Sequence, residues 1–94
     1  MPSWEVRLAP RFLRLAKKLN AGERRKVQEA IDAAVEAWGN PHSHAGAGIR
    51  RLRGNAFECR CGLHLRLIFF AEAGVLNFLM LGDHDDVQKF LREN

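Results

Sequence analysis

The residues best suited to chemistry lie near the end of the chain, where His84 is flanked by Asp83, Asp85 and Asp86. An imidazole can accept or donate a proton near neutral pH, and a neighbouring carboxylate such as Asp85 can orient its ring. The same residues could instead be a helix-capping sequence in which the histidine has no chemical role. The surroundings of the imidazole in the fold therefore distinguish the two interpretations.

Arginines recur at alternating positions in the second half of the chain, which has the pattern of successive strands. In "GIRRLRG", Leu52 should point towards the core, which turns Arg51 and Arg53 to the opposite face. Guanidinium groups gathered on one face favour a phosphate-bearing partner, because without a polyanion they repel one another. A solvated face partly paired with Glu5 and Glu58 is the alternative. The set predicted to share this face is Arg51, Arg53, Arg60, His64 and Arg66.

Hydrophobic periodicity predicts the elements that position these residues. "SWEVRL" alternates like a strand, Pro10 permits a helix start, and "GERRKVQEAIDAAVEAWGN" has an unbroken helical stripe that ends at Gly39. Four strands follow, and Asp83 or Asp85 can cap a last helix. The order β-α-α-β-β-β-β-α predicts an α+β fold, with two N-terminal helices on one face of a small, mainly antiparallel sheet and the other face uncovered.

Composition narrows the class of protein. The chain has 94 residues and a formal net charge of +4, which predicts a single domain spanning residues 1–94 and an acidic or polyanionic partner. Cys59 and Cys61 share one face of a strand about 6–7 Å apart, which is too far for a disulfide and favours a reducing, cytoplasmic location. Neither a secretory signal nor a membrane span is expected. "PHSH" has no established zinc spacing, so neither a metal nor another cofactor is expected.

The order and length of these segments resemble those of the RelE/ParE superfamily of bacterial toxins over nearly the whole chain. The segments that carry the resemblance are "WEVRLAPRFLRLAKKL", "IRRLRG", "ECRCGLHLRLIFF" and "LMLGDHDDVQKFL". The resemblance implies a compact sheet with two helices on one side, and a cognate antitoxin as partner. It also implies one of two activities. RelE-like members, including the YafQ and HigB groups, cleave messenger RNA, usually on the ribosome, whereas ParE-like members inhibit DNA gyrase without catalysis.

Individual residues match the RelE-like pattern. The segment Arg51-Leu52-Arg53-Gly54 matches a basic pair around a leucine, and Gly82-Asp83-His84 matches the "G-x-H" of YafQ-like members. Arg60 and Arg66 match further basic positions. YafQ-like "ECH" is "ECR" here, and His64 stands near the position of an aspartate. The chain has no tyrosine, although RelE has one near its C-terminus, so proton transfer would rest on His84 or His64.

The resemblance and the charge pattern together predict a metal-independent endoribonuclease that cleaves messenger RNA by attack of a 2′-hydroxyl. A gyrase inhibitor or a diverged partner-binding domain remains the alternative. The predicted catalytic residues are His84, Arg66, Arg60 and His64, with Asp85 in support. The predicted phosphate-binding residues are Arg50, Arg51, Arg53, Lys17 and Lys18.

Overall fold

A computed structural model of the chain describes residues 4–40 and 46–93. The order of elements is the predicted one. The helices are α1 (Pro10–Lys17), α2 (Ala21–Trp38) and α3 (His84–Glu93). The strands are β1 (Glu5–Leu8), β2 (Ile49–Arg53), β3 (Ala56–Cys61), β4 (Leu65–Glu72) and β5 (Val75–Gly82). No helix in this part of the chain combines the length and the apolar character that a membrane span requires.

The five strands form one mixed sheet in the order β1-β5-β4-β3-β2. β1 pairs with β5 in parallel, and the other three pairs are antiparallel. The β4–β5 turn consists of Ala73 and Gly74, both with positive φ, which suits the right-handed twist of a tight hairpin. The predicted α+β class is therefore confirmed.

The first face of the sheet carries the main core. The apolar stripe of α2 buries Val27, Ile31 and Ala34 against this face, and α1 contributes Phe12. Inside the core, the ring centroid of Phe69 lies 5.0 Å from that of Phe78. The predicted inward stripe of the long helix is thus confirmed, because helical spacing alone places these residues on one side.

The second face is partly covered, contrary to the prediction that it would be open. α3 packs Val87 and Phe90 against Ile68 and Met80 in a smaller cluster on this face. Arg53 also joins β2 to α3, because its Nη2 donates a hydrogen bond to the carbonyl of Leu91 at 2.9 Å. The prediction was wrong because periodicity shows that α3 is amphipathic but does not show which face of the sheet it covers.

A capping motif fixes the beginning of α2. The side chain of Asn20 accepts a hydrogen bond from the Glu23 backbone N–H at 2.8 Å, and Glu23 accepts one from the Asn20 N–H at 3.0 Å. α2 therefore begins at Ala21, one residue before the segment whose periodicity predicted it. Cys59 and Cys61 are free thiols buried on the first face, as predicted.

Replacing Phe69 with alanine should lower the free energy of unfolding by about 3–5 kcal/mol, because the ring is fully buried among other aromatic rings. Phe70 is the matched control, since it is adjacent on the strand and only half-buried. Denaturant unfolding of the two variants measures the difference. Equal losses in both would contradict the assignment of the main core to the first face.

Candidate active site

A cleft of about 430 Å³ opens on the second face, where α3 leaves β2, β3 and the beginning of β4 uncovered. We call it the arginine cleft. The register places Arg50 opposite Glu58, and Arg60 opposite Arg66, so alternating strand geometry brings the four side chains to one face. Its lining residues are Gly48, Ile49, Arg50, Glu58, Arg60 and Arg66.

A second cleft of about 200 Å³ lies where β4 begins and β5 ends. We call it the histidine cleft. Arg66 lines both clefts, so the two adjoin at this residue. The predicted convergence of the two histidines with an arginine is therefore present in the fold. The lining residues are Leu63, His64, Arg66, Asp83, His84 and Asp85.

Reciprocal hydrogen bonds at the start of α3 position His84. The Asp86 backbone N–H donates to the Asp83 carboxylate at 2.9 Å, and the Asp83 N–H donates to the Asp86 carboxylate at 2.9 Å. The hydrogen bond from the Asp86 backbone lowers the pKa of Asp83 below its ordinary value of 3.8. A Cβ at Gly82 would lie 2.6 Å from the Cβ of Asp86, so the strand must end on a glycine. His84 is thus the first residue of α3, held at the rim of the histidine cleft.

The capping interpretation and the chemical interpretation of this segment are therefore compatible. Asp83 and Asp86 form the cap, and His84 between them remains exposed to the cleft. Asp85 lines the same cleft, but within residues 4–40 and 46–93 no hydrogen bond joins its carboxylate to His84. The orienting role of Asp85 stays a prediction.

Comparisons with solved structures agree with this architecture. A double mutant of the E. coli toxin RelE in the free state matches 95% of this chain and 92% of its own, with a TM-score of 0.71 and 14% identity. A chain of the archaeal RelE–RelB complex from Pyrococcus horikoshii matches over 86% and 94%, with a TM-score of 0.69 and 17% identity. A chain of the E. coli DinJ–YafQ toxin–antitoxin complex matches over 90% and 97%, with a TM-score of 0.66 and 14% identity.

The chain has the RelE fold. The predicted resemblance is confirmed at this level. No protein-family model and no curated protein matches the sequence. With identities this low, the roles of individual residues in this RelE-like fold must be argued from its own geometry.

The predicted faces of β2 need correction. Arg50 lies in the arginine cleft, whereas Arg51 lies opposite Phe57, on the first face. The Nε of Arg51 donates to the Gly54 carbonyl at 2.8 Å. Arg53 lies on the second face but outside both clefts, bound to α3. Leu52 packs in the cluster beneath α3 rather than against the N-terminal helices. The prediction failed for Arg51 and Leu52 because it assumed that Leu52 faces the main core. A bulge between Arg51 and Arg53 then returns Arg53 to the second face.

Two further predictions about β4 and α1 also change. The strand begins at Leu65, so His64, which was predicted to share a strand face with the arginines, belongs to the preceding turn together with the exposed Leu63. Lys17 and Lys18 are exposed at the end of α1, which packs against β5, and they line neither cleft. The structure therefore does not bring them to the site. His42 and His44 of "PHSH" lie outside the described residues.

Two residues of the site were missed as functional candidates. Glu58 is 1% exposed at the floor of the arginine cleft, although the sequence indicated only a partner for solvated arginines. Gly48 was not among the predicted site residues, yet its φ is +71° and a Cβ there would lie 3.3 Å from the Nε of Arg60. The position of Glu58 between the inward-facing Phe57 and Cys59 was the available signal, but its burial depends on the pairing with β2.

The buried thiols are not nucleophiles in this arrangement. Burial, with a smaller effect from Cys61 and Glu58, raises the pKa of Cys59 to about 12. Burial also raises the pKa of Cys61. A thiol is a poor nucleophile while it is protonated, so the chemistry of the second face rests on imidazole and guanidinium groups.

Replacing Asp83 with alanine should lower the free energy of unfolding, because α3 loses the side chain that caps its first turn. Asp83→Asn keeps an acceptor and should stay close to wild type at neutral pH. Because the folded-state pKa of Asp83 is lowered, its contribution is present at neutral pH and is lost as the pH falls through that value. Urea unfolding from pH 7 to pH 2 measures both effects. Equal stability of the alanine and asparagine variants would contradict the cap.

Gly48→Ala should displace Arg60, whereas Gly54→Ala should not. Both glycines have positive φ, so each alanine should cost about 1–2 kcal/mol in backbone strain. A Cβ at Gly48 meets the side chain of Arg60, while one at Gly54 meets nothing within 4 Å. The ¹⁵N-edited spectrum of the Arg60 Nε–H group reports the displacement. An Arg60 signal unchanged in both variants would contradict the contact.

Proposed function

We propose that this chain is the toxin of a toxin–antitoxin pair and that it cleaves messenger RNA. The observation that carries the proposal is the cleft in which His64 and His84 meet Arg66. Two groups of a type that titrates near neutral pH, beside a permanent cation, are what acid–base chemistry at a phosphate needs. A surface that only binds a protein partner does not require two imidazoles beside an arginine.

The reaction proposed is attack of a ribose 2′-oxygen on the adjacent phosphorus. One imidazole takes the proton of the 2′-hydroxyl as the O2′–P bond forms. The other gives a proton to O5′ as the P–O5′ bond breaks. The products are a 2′,3′-cyclic phosphate and a 5′-hydroxyl end. The nucleophile belongs to the substrate, so the protein needs only to align it and to move two protons. His84 is our principal acid–base group, with His64 as its complement.

The arginines supply the electrostatic part of this reaction. Arg66 lines both clefts and is 27% exposed, so its guanidinium can contact the phosphate while its stem stays packed. Negative charge grows on the phosphate oxygens as the pentavalent state forms, and fixed donors stabilise that charge. Arg60 and Arg50 extend the cationic surface into the arginine cleft. A single RNA strand can thus place its reacting phosphate in the histidine cleft and its neighbouring nucleotide in the arginine cleft.

The partner proposed for neutralisation is an antitoxin with an acidic segment. The net charge of +4 and the open cationic clefts favour such a segment. Two of the structural neighbours come from complexes of a toxin with its antitoxin. An antitoxin that covers the clefts would exclude RNA by occupying the same cations. The ribosome is the proposed place of cleavage, where the message is held as a single strand.

The test uses purified protein, translating ribosomes and end-labelled message. Wild-type protein should produce fragments with 2′,3′-cyclic phosphate ends, and a message with a 2′-deoxy sugar at the cleavage site should stay intact. His84→Ala should cleave about 10²–10⁴-fold more slowly, because a proton-transfer group is lost. It should keep its thermal stability, since the ring is exposed.

Lys89→Ala is the matched control, because it removes an exposed cation from the same helix outside both clefts. It should cleave at the wild-type rate and arrest growth like the wild type when expressed without an antitoxin. Full cleavage by His84→Ala would overturn the assignment of His84. Intact message together with inhibition of DNA supercoiling by gyrase would replace the proposal with the non-catalytic alternative.

A further inference from the structure

Glu58 is a buried carboxylate on the floor of a cleft whose other charged residues are arginines. Its side chain is 2% exposed. Oε1 accepts hydrogen bonds from Arg50 Nε at 3.1 Å and Nη2 at 2.6 Å, and Oε2 accepts one from Arg66 Nη1 at 3.4 Å. One carboxylate thus joins a guanidinium from β2 to another from β4.

This arrangement works against simple attraction of RNA. A buried carboxylate loses its hydration and is tolerated only when it is well paired. It also cancels one positive charge where phosphate is expected to bind, which weakens the electrostatic attraction of a polyanion. If affinity for RNA were the only requirement, a neutral residue at position 58 would serve the cleft better. The benefit must therefore lie in how the arginines are held.

The register shows which arginine needs holding. Arg66 lies directly opposite Arg60 in the β3–β4 pair, so two cations face each other across neighbouring strands. Like charges in this position repel. Glu58 lies two residues before Arg60 on the same face, diagonal to Arg66, and its carboxylate accepts a hydrogen bond from the Arg66 guanidinium at 3.4 Å. The guanidinium is thereby kept at the junction of the two clefts.

We propose that Glu58 is a positioning residue that fixes the Arg66 guanidinium at the junction of the arginine and histidine clefts. This role rests on the proposed RNA cleavage and assigns the geometry of its cationic donor. A donor held in place before the reaction stabilises developing charge without reorganisation. Glu58 therefore contributes to the rate of the chemical step and opposes the affinity for RNA.

Glu58→Gln separates these two effects. The variant keeps the size of the side chain, but its amide nitrogen cannot accept a hydrogen bond from a guanidinium, and it removes a negative charge. The rate of cleavage at saturating RNA should fall about 10–100-fold, while the Kd for a 2′-O-methyl RNA should stay equal or decrease. Glu72→Gln is the matched control, because this carboxylate is exposed at the end of β4, and it should change neither value.

Glu58→Asp covers the case in which the glutamine variant does not fold. It keeps the charge but withdraws the carboxylate by one methylene from Arg66. A smaller fall in rate with unchanged Kd is expected. A higher Kd with an unchanged maximal rate, in either folded variant, would overturn the positioning role.

A readout independent of activity distinguishes this proposal from the proposed function. The ¹⁵N relaxation of the Arg66 Nε–H group should indicate an ordered side chain in the wild type and a mobile one in Glu58→Gln. If the wild type cleaves no RNA but Arg66 is released in the variant, the proposed function fails and the positioning role stands. If Arg66 is equally ordered in both proteins, the positioning role is wrong whatever the activity.

Discussion

The reciprocal hydrogen bonds between Asp83 and Asp86 are the constraint on which the candidate site depends. They end β5 at Gly82 and start α3 at His84 within a single residue. Because β5 pairs with β4, this junction lies beside the beginning of β4, where His64 and Arg66 are found. The hairpin thus brings the start of α3 to groups some twenty positions earlier, and the cap fixes His84 as the first residue of that helix. Asp83 and Asp86 cap the helix, and His84 between them keeps its imidazole exposed to the cleft.

α3 covers only part of the second face, and the uncovered part forms the arginine cleft. α3 buries Ile68 and Met80 but leaves the region of β2 and β3 uncovered. The boundary between covered and open surface passes close to Arg66, which is partly exposed for that reason. The Arg66 side chain is partly buried, and its guanidinium donates a hydrogen bond to the buried carboxylate of Glu58, which suits a donor that must stay in one place.

The sequence was sufficient where structure depends on local spacing, and insufficient where it depends on pairing. The stripe of α2 and the alternation of β4 from Leu65 onward were predicted because a residue's face follows from its distance along its own element. The faces of Arg51 and Leu52 were predicted wrongly because spacing does not show which of two apolar clusters Leu52 joins, and it packs beneath α3. The burial of Glu58 was missed because its neighbours come from two other strands. The convergence of His84 with His64 was predicted correctly because β4 and β5 form a hairpin.

The most direct test of the account is a titration of the protein with a 2′-O-methyl RNA oligonucleotide, which binds like a substrate but has no free 2′-hydroxyl. Side-chain NMR signals of His64, His84 and Arg66 would be followed together with those of Lys17 and Lys18. The account predicts saturable shifts in the imidazole and guanidinium signals of the two clefts and none in the lysines. Shifts confined to the lysines, or the absence of any response at the histidines, would contradict a ribonuclease site on this face of the sheet.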